Sequence, residues 1–125
     1  VNFDLSAMVK AETRRVELNT AMAAMFANAD IVLAATNPAT AFNAEGHLPS
    51  TFEGVEARSS NNGALTAPSN IFGNPAAALP AGLASDGLPV SLQVLAPHYR
   101  EDLLLDLGLA WERHRPWPLL ASLAN

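Results

Sequence analysis

Between Asp4 and Asn28, charged and apolar residues recur at helical spacing. Val16, Met22, Ala23, Met25 and Phe26 make an apolar stripe in the second half, while Met8, Glu12, Arg15 and Asn19 trace a mixed face. This pattern predicts a long helix, capped by Asp4 or Ser6, whose second half covers a sheet. Asp30-Ile31-Val32-Leu33-Ala34-Ala35 is too short and too continuously apolar for a surface helix and predicts a buried strand. From Thr36 to Asn62 the periodicity is lost among Asn, Pro, Gly, Ser and Glu, which predicts a long loop laid over a larger body.

The pattern resumes with a short helix predicted between Ala64 and Phe72, where Leu65, Ser69 and Phe72 fall on one side and Pro68 is confined to the first turn. Pro75 to Leu79 and Pro89 to Leu95 predict two strands, neighbours in one sheet, joined through Gly82, Ser85 and an Asp86-Gly87 turn. After Pro97 a second long helix follows, with Glu101 and Asp102 at its positive end and Arg113 and Arg115 at its negative end before Pro116. Leu103, Leu104, Leu107, Ala110 and Trp111 form its stripe, and Leu105 and Leu109 widen it enough to predict packing on two sides. Trp117 and the tail Leu119-Leu120-Ala121-Ser122-Leu123 are expected on a neighbouring surface. The sum is an α/β chain, residues 1–125 forming a single partial domain with strands of a mixed sheet covered by helices.

Composition narrows the function classes. Half of the 125 residues are apolar, enough to bury a core. A net charge of −5, with basic residues adjacent only at Arg14-Arg15 and Arg113-x-Arg115, argues against a nucleic-acid surface. The absence of cysteine removes disulfides, thiolate nucleophiles and cysteine metal sites, and no apolar run is long enough to span a membrane. A cytoplasmic setting is therefore expected. The chain opens on Val1, close to a helical pattern, which reads as a piece of a longer protein.

The candidate chemistry is sparse. His47, His98 and His114 fit no metal spacing and suit surface or capping roles. Glu101 and Asp102 are adjacent on a helix and point apart. Gly73, Gly82 and Gly87 do not form a phosphate-binding pattern. Neither a metal nor a cofactor is expected.

More specific is the order Asn70-x-x-Gly73-x-Pro75-Ala76, then Pro80-x-Gly82, then Gly87-Leu88-Pro89-Val90-x-Leu92-Gln93. Together with Asp30-Ile31-Val32-Leu33, it resembles the C-terminal part of the amidase signature family, serine amidohydrolases with a Ser-Ser-Lys triad. The resemblance runs from about Ala21 to Trp117. Ala35, Ala78 and Ser91 depart from it, standing where Pro, Ser and Gly are usual.

In that family a lysine acts through a bridging serine, and a Gly/Ser-rich segment supplies the nucleophile and oxyanion donors, because a serine hydroxyl is weak without a base. Here the single lysine is Lys10, and the single Ser-Ser pair, Ser59-Ser60, lacks the Gly-rich setting. The expectation is that no catalytic residue lies in this chain. By the resemblance, Gly63, Thr66 and Asn70 are candidate substrate-pocket residues; bracing of the short helix by Thr66 and Asn70 is the plainer alternative. The expected function is that of the C-terminal segment of a serine amidohydrolase, whose partners would be the missing N-terminal catalytic part and a small amide substrate. Self-association of the isolated chain through its strands or terminal helix is also expected. One alternative is the A subunit of a tRNA-dependent amidotransferase, in which an acidic residue stands near Gly63; another is a non-catalytic α/β interaction domain.

Overall fold

The computed structural model describes residues 4–118. The first helix, α1, spans Leu5–Phe26 and begins where the Asp4 carboxylate accepts a 2.9 Å hydrogen bond from the Ser6 amide. Its outer surface carries the pairs Arg14–Glu17 and Arg15–Glu12, both exposed and worth little individually. Met22 is its one buried residue.

The stripe on α1 does not cover a sheet, as its spacing predicts. It packs on the short helix α2, Ala67–Phe72, with Phe26 stacked on Phe72 at 6.3 Å between ring centres. The reason is that the chain around α2 already occupies the sheet: Gln93 donates to the Leu65 carbonyl, and Asn74 donates to that of Ala96. Val16 and Met25 are consequently left exposed.

Three strands make the main sheet. These are β1 (Val32–Ala35), β4 (Ala76–Leu83) and β5 (Pro89–Leu95), in the order β1-β5-β4 with both pairings antiparallel. The continuous apolar run predicts a buried β1, but the strand lies at a sheet edge and alternates between half-buried and exposed, with Leu33 58% exposed.

Strand β4 runs beyond the predicted end at Leu79, through Pro80 to Leu83. An edge strand tolerates a proline because one side of it has no ladder to supply. The register shifts between Pro80 and Gly82, and Gly82 has φ +115°. The hairpin closes at Asp86-Gly87, where the Asp86 carboxylate accepts from the Leu88 amide and the Thr40 hydroxyl.

The stretch from Thr36 to Asn62, expected to be a featureless loop, contains a small hairpin of β2 (Thr51–Phe52) and β3 (Val55–Glu56). Its turn residues, Glu53 and Gly54, both have positive φ, as a type I′ turn requires. A 3₁₀ turn, Ser59–Gly63, leads from there towards α2. Two-residue strands leave no periodicity to read.

The last helix, α3, covers Glu101–His114. Leu104 is buried in a cluster with Leu79, Val94 and Ala96, and Leu103, Leu107 and Trp111 close its margin. The Trp111 indole donates to the Pro80 carbonyl at 2.9 Å, tying the helix to the strand where the proline interrupts it. Of the two sides predicted to pack, one is open: Leu105 is 73% exposed, because nothing among the described residues covers it. Trp117 lies beside the β4–β5 hairpin, lining a groove with Pro80, Leu83 and Val90, while Leu119–Leu123 fall outside the described residues. No helix among the described residues is long and apolar enough to cross a membrane.

Candidate functional site

Cross-strand partners share a face of a sheet, so the register divides the residues of β5 into two sets. Leu92 and Val94 point with Leu79 and Ala77 towards α3. Gln93 points the other way, between Ala34 of β1 and Ala78 of β4. Flanked by two methyl groups, its long side chain rises into the space below α2 and is 4% exposed. Its Nε2 donates to the Leu65 carbonyl at 3.2 Å, while Oε1 has no partner among the described residues.

Ser69 reaches the same region from α2. Only 5% exposed, it also has an unpartnered hydroxyl oxygen. Gln93 and Ser69, with Thr36, Thr66 and Asn70, surround a hollow of about 170 Å³ whose remaining wall is Ala76, Ala77 and Ala78. Among the described residues, the wall contains no ionisable side chain.

The hydroxyl hydrogens of its two threonines are engaged. Thr66 Oγ1 donates to the Gly63 carbonyl at 3.1 Å. Thr36 Oγ1 donates to the Ser91 carbonyl and accepts from Ser91 Oγ at 2.8 Å. Ser91, a departure from the family pattern, thus gives Thr36 a donor that glycine could not provide.

Of the three pocket candidates, Thr66 and Asn70 are brought together in this wall, whereas Gly63 lies off it and contributes a carbonyl that holds Thr66. Ser69 and Gln93 were not singled out as site residues by the sequence. A usable signal was present, since a glutamine in the mostly apolar run of β5 needs partners once buried.

A second cavity, about 560 Å³, lies between residues 35–41 and the β4–β5 hairpin. At its lip the Asp86 carboxyl is held below its ordinary value by the Leu88 amide and, secondarily, the Thr40 hydroxyl. That carboxylate serves the turn. Outside this cavity Asp102 is also lowered, chiefly by its hydrogen bonds from Arg100.

His98 Nε2 lies 2.9 Å from the Phe72 carbonyl, an acceptor, so this nitrogen carries the hydrogen; the ring rests against Phe72. His47 and His114 are exposed. Among the described residues no three His, Cys, Asp or Glu side chains group as metal ligands. Lys10 is exposed on α1, and Ser60 is exposed in the 3₁₀ turn.

A short antiparallel sheet with α3 on one face and the α2 region on the other defines a mixed α/β fold. The chain belongs to the amidase signature family, the family model described as Amidase matching residues 2–105. It is 34% identical over 106 residues to the A subunit of the glutamyl-tRNA(Gln) amidotransferase of Listeria monocytogenes serotype 4a (strain HCC23), covering 83% of this chain and 20% of that protein. Identity to an acylamidase of Rhodococcus erythropolis is 36% over 89 residues, 70% of this chain and 19% of the relative. The solved structure of a bacterial aryl acylamidase of the amidase signature family superposes with a TM-score of 0.82 at 25% identity, over 94% of this chain and 24% of that one. The chain therefore spans about a fifth of the length of these curated relatives.

Proposed function

We propose that this chain is the C-terminal segment of a serine amidohydrolase, a single partial domain of a longer polypeptide that hydrolyses a carboxamide through an acyl-enzyme. The observation that carries this reading is the family match over residues 2–105 in a chain that spans only about a fifth of its relatives' length. The Ser-Ser-Lys triad would then lie in the remainder of the polypeptide. Thr66 and Asn70 supply part of the substrate wall, and Gly63 acts through the carbonyl that fixes Thr66. The cysteine-free composition suits a cytoplasmic enzyme.

Active-site labelling with a fluorophosphonate tests the assignment. The intact protein should label on serine, and the 125-residue chain should not. Labelling of the short chain that vanishes in Ser60→Ala would place the nucleophile here and overturn the reading.

The A subunit of a tRNA-dependent amidotransferase is the second reading, favoured by relatives that carry that name. Gly63, where the resemblance puts an acidic residue, favours the general amidase. Release of ammonia from simple amides without partner subunits would decide for the amidase; activity appearing only with partners would decide for the amidotransferase.

The isolated chain should also self-associate. Leu5, Val9 and Val16 on α1 and Leu105 on α3 are each more than half exposed. A monodisperse monomer in light scattering at micromolar concentration would instead support a free-standing interaction domain.

A further inference from the structure

The hollow between α2 and the sheet has committed its threonine hydroxyls as donors and kept open acceptors. Thr36, Thr66 and Gln93 Nε2 all donate to backbone carbonyls. Gln93 Oε1 and Ser69 Oγ are buried in the wall and have no partner among the described residues. A buried acceptor without a donor carries a desolvation cost, so the arrangement favours an occupant that brings hydrogens.

Charge decides which kind of occupant. With no ionisable side chain among the described residues of the wall, an ammonium group or a carboxylate would each sit without a counter-charge. A neutral group with two N–H donors meets both conditions. Its carbonyl can turn towards Asn70, exposed at the hollow and able to donate from its side-chain amide.

Resting on the amidase reading above, we propose that this hollow is a specificity subsite for a primary carboxamide, its NH₂ donating to Gln93 Oε1 and Ser69 Oγ. An N-substituted amide loses one of the two donors and adds bulk against the alanines. Ser69 and Gln93 thereby set a preference for primary over N-substituted amides.

The test uses the intact protein that carries this segment and matched substrates, a primary amide and its N-methyl counterpart. Ser69→Ala should lower the kcat/KM ratio of primary to N-methyl amide about five- to tenfold, the value of one neutral hydrogen bond. The loss should fall mainly on KM, and Ser69→Thr, which returns a hydroxyl, should restore most of it. An unchanged ratio in both Ser69→Ala and Gln93→Met, with circular dichroism unaltered, would overturn the proposal.

A binding readout covers variants that fail to fold. In the unmutated protein, acetamide should shift the NMR signal of the Gln93 side-chain amide, whereas acetate and methylammonium should not. No shift, or equal shifts with all three, would also overturn it. The two readings fail separately. Acetamide binding at Gln93 without amide hydrolysis sinks the amidase assignment and keeps the subsite, whereas hydrolysis with an unmoved ratio does the reverse.

Discussion

The two faces of the β1-β5-β4 sheet are built from alternate residues of the same strands and follow opposite rules. Towards α3, Val94 and Leu79 meet Leu104 in an apolar contact that leaves them between 1% and 8% exposed. Towards α2, Gln93 stands between alanines, and two buried oxygens lack partners among the described residues. One face has the character of a folding core and the other is the polar wall to which the proposed subsite is assigned. A one-residue slip of β5 would exchange them, so the register that builds the core also aims Gln93.

Mutations should separate the faces. The largest effect is expected from Leu104→Ala, which empties space in the α3 contact and should cost about 2–5 kcal/mol in urea unfolding of the intact protein. Gln93→Leu, on the other face, removes an unpaired acceptor along with one hydrogen bond and should change stability by less than about 1 kcal/mol. Equal losses for the two would erase the contrast.

Trp111→Phe keeps the ring packing and removes the indole bond to Pro80, so about 1 kcal/mol should be lost. Gly108→Ala should gain roughly 0.5–1 kcal/mol: the added methyl would lie 3.8 Å from a Leu79 methyl, an ordinary contact, and helix interiors favour alanine. A loss there would mean that α3 sits closer to the sheet than described.

The smallest effect concerns the exposed hairpin turn. The Asp86 carboxyl is held below its ordinary 3.8 by the Leu88 amide and the Thr40 hydroxyl, so the unfolded chain takes up the proton first. Its contribution is complete above the ordinary value and lost as pH falls through the lower folded one. Asp86→Asn should flatten that part of the acid unfolding curve and barely move the midpoint at neutral pH.

The elements most legible in the sequence were those whose pattern repeats over several turns or whose ends carry distinct chemistry. α3, with acids at Glu101-Asp102, bases at Arg113-His114 and Pro116 beyond, was bounded correctly to within a few residues. β5 was predicted over the same residues that form it. Three features were not readable, each for a physical reason. The edge position of β1 depends on which strand pairs beside it, and neither composition nor period reports that. The partner of α1 depends on α2 reaching the sheet first. The β2–β3 hairpin is too short to produce a period, although Glu53-Gly54 marks its turn. In the candidate site, the family motif pointed to Thr66 and Asn70. Gln93 and Ser69 joined them only once the register and the α2 contact were known, because their proximity is a property of tertiary packing.

The proline and bulge in β4 also give the sheet a direction of growth. The outer side of that strand cannot present an unbroken row of amides, whereas β1 at the opposite edge contains no proline and keeps a regular pairing. Any further strand, whether from the same polypeptide or from another molecule, therefore finds its open template beside β1, and the β4 side acts as a terminus.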